Sequence, residues 1–572
     1  MKNISYYKFR LGVAALLILC SAPWVEAKVK LPALFSDGMV LQREQSVKVW
    51  GTADAGETVE VKFLKASAGK GKKAIGQPQA LKGGKLKNTY TATADANGRW
   101  SITLPPMKAG GPYLLQVNDL QLKDLLIGDV WLCSGQSNME LPVRRVTDMF
   151  ADEVASYNNE QIRQVVVPKT FNFHAPQEDM PQTSWKAATQ ENVMSFSALA
   201  YFFAKAVYEK TGVPIGLINS SWGGTPVEAW TSEEGLKDFP LYINDKRQYE
   251  DDAYCAHIKK VEGENYYRWN RSLYLGDAGL HEATPWYAAD YDDSSWKSID
   301  MFSDSWGTNG LNPIGGSHWL RKDVEIPQEW TNREATLRLG CMIDADSVYV
   351  NGKFVGSTGY MYPPRIYKIP AGLLKAGRNN VTVRLISNGG KPSFVPEKPY
   401  KIIFAEDKAT GTTQQEVSLE GKWKYRLGAP MPNAPSMMFF CYKPVCLYNA
   451  MIAPLQNYSI RGVVWYQGES NVSRRNEYAA LLTAMMADWR RTFNAPDLPF
   501  YIVELADYLS KSDIGGRKAW AEMRSEQAKV AQTNEHAVLI KNSDLGEWND
   551  IHPLDKKTLG NRVADAVLED MQ

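Results

Sequence analysis

The chain has 572 residues, with 65 Lys plus Arg against 64 Asp plus Glu and a formal net charge of +1. That length exceeds one hydrophobic core and predicts three or four units. So even a charge balance creates no field that would draw nucleic acid or anionic lipid, and it excludes nucleic-acid binding as a function class.

At the N-terminus Lys2, Lys8 and Arg10 frame the apolar run LGVAALLILC, Leu11 to Cys20, which is followed by Val25-Glu26-Ala27. A basic start, a short apolar core and small residues at a cleavage site predict a signal peptide over residues 1–27, too short to span a bilayer. The mature chain is expected to begin near Lys28 and to be exported, periplasmic or secreted. Bulky Leu19 before Cys20 makes a lipoprotein anchor the weaker reading. No other apolar run approaches ~18 residues, so no membrane span is expected.

Without Cys20, the cysteines are Cys133, Cys255, Cys341, Cys441 and Cys446. An odd, sparse set is no disulfide framework; Cys441 could pair with Cys446, and buried free thiols are the competing reading. The six His show no H-x-x-x-H spacing, and C-x-x-C is missing too, so neither a metal site nor a cofactor is expected.

Residues 28–123 carry short alternating runs such as SVKVWG, Ser46 to Gly51, and TVEVKFL, Thr58 to Leu64, punctuated by Gly, Asn and Pro. They predict a small β-sandwich, with Ala66 to Lys87 as a solvated loop. From Asp124 the rhythm becomes strand, helix, strand. Ile162 to Val167 reads as a strand, and Ser197 to Lys210 as a helix with a stripe of Leu199, Phe202, Phe203, Ala206 and Val207 that stops at Gly212. The strand PIGLIN, Pro214 to Asn219, follows, and the crossover implies a parallel sheet.

This first α/β part is taken as 124–235. Residues 236–436 are too many for a loop and predict an inserted domain with a β core at about 280–425. Its strands include Trp319 to Pro327, Ala335 to Leu339, and Asp344 to Gly352, where Asn351-Gly352 signals a hairpin. The α/β pattern resumes over 437–572, with helices Glu477 to Arg491, Lys518 to Val530 and Asp555 to Met571, and strands Phe500 to Leu505 and Ala537 to Asn542. The fold class is α/β, a doubly wound parallel sheet split by the insert.

Four buried strands each end in a polar or small-residue loop. Val130 to Cys133 runs into Ser134-Gly135-Gln136-Ser137-Asn138; PIGLIN into Ser220-Ser221-Trp222-Gly223-Gly224; GVVWY, Gly462 to Tyr466, into Gln467-Gly468-Glu469-Ser470-Asn471. The last leads past Asp544 to Asn549-Asp550-Ile551-His552-Pro553. A serine on a tight turn, a Gly-rich loop, an amide and a histidine with an acid nearby are the parts of an acyl-transfer site.

The blocks CSGQSNME, SWGGTPVEAW, WYQGESN and DIHP resemble the four motifs of the SGNH hydrolases, and in particular the sialate O-acetylesterase branch. The resemblance implies an SGNH-type sheet and a serine esterase that removes O-acetyl groups from carbohydrates through an acetyl-serine intermediate. It implies Ser137 as nucleophile and His552 as base, with the N–H groups of Ser137 and Gly223 and the Gln467 amide as oxyanion donors. The acid is open, because the family's Asp position is occupied by Asn549; Asp550 is chosen and Asp544 is the reserve. Asn138, Glu469, Asn471 and Trp222 are candidate substrate contacts, and the insert resembles the galactose-binding-like jelly roll of many glycosidases.

The resemblance implies an O-acetylated carbohydrate as substrate, either a sialic acid or a plant polysaccharide such as xylan. For a sialate carboxylate the candidates are Arg144, Arg145, Arg474, Arg475 and Arg524. A non-catalytic carbohydrate-binding protein and a glycoside hydrolase using Glu469 with a second acid are the alternatives of other classes.

Overall fold

The computed structural model describes residues 29–68, 75–79, 89–310, 312–406 and 413–571. The signal-peptide and lipoprotein readings fall outside those residues. The core of the molecule is a sheet whose parallel strands are β1 (Leu120–Gly135), β2 (Asn159–Val166), β4 (Ile215–Ser221), β5 (Gly462–Tyr466), β6 (Phe500–Val503) and β7 (Ala537–Ile540), with a short antiparallel edge strand β3 (Lys186–Ala188). Their spatial order is β3-β2-β4-β1-β5-β6-β7. The chain leaves β1 toward one edge, returns through β4, and then crosses to β5 on the other side. The carboxyl end of β1 therefore stands at the point where the winding reverses, where open α/β sheets leave a crevice.

Helices α1 (Ala198–Thr211), α2 (Tyr478–Thr492), α3 (Ile514–Thr533) and α4 (Lys556–Asp570) cover the sheet in two packed pairs, α1 with α4 and α2 with α3. The pairs lie on opposite faces. Trp131 of β1 meets Phe203 of α1 at 5.3 Å between ring centroids, whereas Trp465 of β5 meets Trp489 of α2 at 5.7 Å. Trp465 is in register with Ser134, three residues on from Trp131, so the two tryptophans project from opposite faces.

Local sequence fixes the helix ends as expected. The Ser197 hydroxyl accepts the Ala200 N–H at 3.2 Å, and Gly212 closes α1 with a left-handed φ of +66°. Asp555 starts α4 by accepting the Thr558 N–H at 3.0 Å.

The N-terminal strands are fused to this sheet. The first half of β1 pairs antiparallel with Gly110–Val117, which in turn pairs with Thr58–Ala68, while Val40–Gln42 runs parallel to β1 at Leu126 to Gly128. β1 thus passes position 124 without interruption. Of the expected loop at Ala66 to Lys87, the first three residues end the strand Thr58–Ala68 and Ile75–Gln79 is a strand paired with it; residues 69–74 and 80–87 lie outside the described residues.

Two helices that the sequence reading did not anticipate, Pro240–Tyr249 and Asp252–Gly276, open the insert. The second is mostly solvated, burying only Cys255, Trp269 and Leu273 along 25 residues, too sparse a stripe for periodicity to reveal. The β part has a six-stranded and a four-stranded antiparallel sheet around their own apolar core. Its hairpin from Ala345–Val350 to Lys353–Thr358 turns at Asn351 and Gly352, both at positive φ, as Asn-Gly predicts. All five cysteines among the described residues are buried free thiols, Cys441 and Cys446 included. Among the described residues no helix is long and apolar enough to cross a membrane.

The α1–α4 contact is close because Gly560 has no side chain: a Cβ there would stand 2.7 Å from Phe202 Cβ and from the Phe203 nitrogen. Gly560→Leu is expected to overpack this seam and cost about 1–3 kcal/mol. The measurement is the urea unfolding midpoint, and a midpoint equal to that of the wild type would contradict so close an approach.

Candidate active site

Ser137 opens a single helical turn, Ser137–Glu140, immediately past β1. The turn is possible because Gly135 adopts φ +136° where strand β5 crowds it; a Cβ at Gly135 would lie 2.1 Å from the Tyr466 carbonyl oxygen. Ser137 then faces the loop after β7. Its Oγ lies 2.8 Å from His552 Nε2, although the two residues are 415 positions apart. They line a cavity of about 890 Å³ that Trp222, Glu140 and Arg145 also line, with Tyr360 and Tyr362 from the insert.

Asp550 is beside the imidazole but not bonded to its ring. Its Oδ1 accepts the backbone N–H of His552 at 2.9 Å and lies 3.7 Å from Nδ1, while Oδ2 lies 3.2 Å from Lys398 Nζ. Nδ1 is buried without a hydrogen-bond partner. Asp544, the reserve acid, is not brought to the site: its carboxylate grips Arg562 through two bonds of 2.7 Å at the solvent-exposed end of β7.

Gly223 is adjacent to the serine, since a Cβ on it would stand 3.3 Å from Ser137 Cβ. Its N–H points to Glu140 Oε2 at 2.8 Å, and Lys169 Nζ holds the other oxygen at 2.6 Å. The Ser137 N–H occupies the first helical position, where no intrahelical acceptor exists.

Gln467 departs from the expected donor role. It is fully buried beneath the cavity, and its amide hydrogens go to Asn471 Oδ1 at 2.7 Å and to Gln136 Oε1 and the Thr225 carbonyl at 3.2 Å. Asn471 is likewise no substrate contact: it is buried between Gln467, the Val227 N–H and Glu228. These amides are spent bracing three loops against one another, because a buried polar atom without a partner is costly.

Asn138 is buried too, and it joins three segments. Its Nδ2 donates to Glu469 Oε1 at 2.6 Å and to the Ile551 carbonyl at 2.9 Å, and its Oδ1 accepts from Lys556 Nζ at 2.8 Å. Lys556 also donates to the Pro553 carbonyl at 2.8 Å. Both neighbours of His552 are therefore tied down. Glu469 lines the cavity, and its Oε2 is buried without a partner. Trp222 lies on the cavity wall with the Lys169 ammonium 5.7 Å from its ring.

Of the five arginines, Arg144 and Arg145 line the cavity. Arg474 pairs with Glu228 at 2.5 Å, Arg475 with Glu522, and Arg524 with Asp507 at 3.4 Å.

The profile of the carbohydrate esterase, sialic acid-specific acetylesterase family matches residues 127–262 and 439–569. Sialate O-acetylesterase of Rattus norvegicus is 34% identical over 560 residues, covering 92% of this chain and 70% of the relative. The chain belongs to the sialic acid-specific acetylesterase family of carbohydrate esterases.

Sialate O-acetylesterase of Mus musculus is 29% identical over 590 residues, covering 96% of this chain and 75% of the relative. Among solved structures, a carbohydrate acetylesterase from Xanthomonas citri superposes with a TM-score of 0.51 at 25% identity, over 94% of this chain and 74% of the other. The first matched part runs into the two helices that open the insert, and the two parts together flank its β region, so the sheet is one unit interrupted by another. The chain is thus a carboxylic ester hydrolase.

Several residues of the esterase site were not legible beforehand. Tyr360 and Tyr362 sit in an irregular loop of the insert, where no periodicity points at a site 190 residues further on. Lys556 did carry a signal. A lysine in the first turn of a helix opposes the positive end of the macrodipole, so it needs a local reason to be there.

Burial, with Lys556 and Arg145 close by, pushes the His552 imidazole from 6.5 down to about 3. Burial also lowers Lys556 to about 8 and raises the Glu469 carboxyl. For His552 the folded value lies below the unfolded one, so between about pH 6.5 and 3 the unfolded chain holds a proton that the folded chain refuses. The stability from this group is present above 6.5 and lost as pH falls through that window. His552 is expected to give the ¹⁵N shifts of a neutral imidazole at about pH 5, assigned against His552→Asn. Protonated shifts at that pH would overturn the burial argument.

Proposed function

We propose that this esterase removes O-acetyl groups from sialic acids, with Ser137 as nucleophile and His552 as general base. The observation that carries the reading is the 2.8 Å contact between Ser137 Oγ and His552 Nε2 in a cavity that Arg144, Arg145 and Lys169 also line. A serine hydroxyl is barely ionised at neutral pH and needs such a base. With Nδ1 protonated, Nε2 takes the hydroxyl proton as Oγ adds to the ester carbonyl carbon. The proton then passes to the departing sugar oxygen, leaving acetyl-Ser137. Water, deprotonated in turn by Nε2, releases acetate and restores the serine. A neutral imidazole is the form required, and its depressed pKa keeps it available in mild acid.

The oxyanion is received by the N–H groups of Ser137 and Gly223, each such donor being worth about 2.7–4 kcal/mol in the transition state. In the resting site Glu140 holds the Gly223 N–H; the substrate oxygen takes it over, and Glu140 keeps Lys169. Asp550 is the acid of the constellation, set 3.7 Å from Nδ1 to stabilise the imidazolium by charge. Gln467 serves as a brace beneath the donors.

The sialate reading rests on Arg145, whose Nε is buried without a partner although its NH2 donates to the Tyr362 carbonyl at 3.2 Å. A guanidinium with spare donors at a cavity wall suits a carboxylate, which the xylose units of an acetylated xylan backbone lack. The names of the rat and mouse relatives support the same substrate class. The insert, with its two antiparallel sheets, is read as a galactose-binding-like jelly roll, the N-terminal strands as a sandwich, and residues 1–27 as an export signal that delivers the enzyme to the periplasm or medium.

Ser137→Ala is expected to lower acetate release from p-nitrophenyl acetate by at least about 10³-fold. Arg145→Ala is expected to raise KM for an O-acetylated sialic acid by about 10- to 100-fold, the worth of a charge-assisted hydrogen bond, while leaving p-nitrophenyl acetate turnover near wild type. Full activity of the serine variant would end the mechanism. Equal loss on both substrates, or preference for acetylated xylan over acetylated sialoglycan, would end the sialate assignment.

A further inference from the structure

The insert touches the active-site loop through three consecutive residues. The Pro396 carbonyl accepts from Asn549 Nδ2 at 2.7 Å, Glu397 Oε2 accepts from Trp548 Nε1 at 2.8 Å, and Lys398 Nζ binds Glu547 Oε2 at 2.7 Å and Asp550 Oδ2 at 3.2 Å. Glu547 carries the restraint across the loop, since its Oε1 accepts the Leu554 N–H at 2.8 Å. A fourth insert residue, Tyr362, stands edge-on to the His552 ring, 5.2 Å between centroids at 88°.

Lys398 and Asp550 are both about nine-tenths shielded, with side-chain exposures of 11% and 10%. Asp550 thus divides its two oxygens between partners. One faces the His552 backbone and, at 3.7 Å, the ring; the other faces the insert's ammonium. Rotation of the carboxylate toward Nδ1 would have to loosen the bond to Lys398.

From this geometry we propose that Lys398 is a positioning residue of the esterase, through which the inserted domain sets the direction of the Asp550 carboxylate and the placement of the His552 loop. The inference rests on the reading of Ser137, His552 and Asp550 as the reacting constellation. It makes the insert part of the catalytic apparatus rather than an appendage. An ammonium is needed rather than a neutral donor, because it bridges two carboxylates that would otherwise repel across a four-residue turn. An error of about 1 Å in the base can cost about 100-fold in rate, so a remote tether of this kind has kinetic weight.

The test compares Lys398→Ala and Lys398→Arg with Ser137→Ala on p-nitrophenyl acetate, using the full chain and reading kcat, KM and the pH profile. Lys398→Ala is expected to lower kcat about 10- to 100-fold with KM within about twofold, and Lys398→Arg to stay within about threefold of wild type. The charged and titratable groups facing the imidazole are Asp550, Lys556, Arg145 and Tyr362, and those facing Lys398 are Asp550, Glu547 and Cys341. Removing the ammonium leaves the Asp550 charge uncompensated beside His552. The acid limb of kcat/KM is therefore expected to move up by about one pH unit or more, a change that a purely structural contact would not produce.

If Lys398→Ala fails to fold, Lys398→Gln in the same assays supplies the same two readings. A folded variant with unchanged kcat and an unmoved acid limb, beside an inactive Ser137→Ala, overturns the role of Lys398 alone. Activity retained by Ser137→Ala overturns the reading beneath it.

Discussion

A single buried amide ties together the loops that form the candidate site. Asn138 follows the serine in sequence, yet its side chain reaches the Ile551 carbonyl, Glu469 and the Lys556 ammonium, groups from the last loop, the β5 loop and the start of α4. Elements that come together only in the tertiary fold are thereby referred to the residue next to Ser137. Burying an ammonium and a carboxylate is expensive unless each is bonded and near the other, and here both are joined through one amide. The unpartnered oxygen of Glu469 marks where that compensation stops, on the wall of the cavity.

The same economy explains why the expected donor from the β5 loop is a brace. The Gln467 side chain, with its two methylenes, is long enough to pass beneath the cavity. In this chain that reach carries the amide down among Gln136, Thr225 and Asn471. Sequence motif and atomic role are separable: the block occurs where the fold needs it, while the length of one side chain decides which atoms it meets.

Much of the scaffold could be read from residues alone, because strong local rules applied. The α1 stripe ended at a glycine that adopts the left-handed conformation, the Asn351-Gly352 hairpin formed, and the buried strands ended in the four loops that carry the motifs. Ser137 and His552 could be singled out as a pair because few residue types can do acyl transfer, and the fold brings their side chains to 2.8 Å. What could not be read was long-range partnership. Asp544 and Asp550 look alike as acids near a histidine; only the structure gives one to Arg562 and the other to the His552 loop. The solvated helix Asp252–Gly276 and the aromatic loop of the insert had neither periodicity nor motif to announce them.

Strand β1 is a shared beam. Its first half is laced antiparallel to the N-terminal strands and its second half lies in the parallel sheet, ending one residue before Gln136 and two before Ser137. A hinge between the two units would require breaking backbone bonds along a continuous strand. The amino-terminal module and the hydrolase are consequently one mechanical body, so any ligand lying across both would meet a fixed surface rather than a closing jaw.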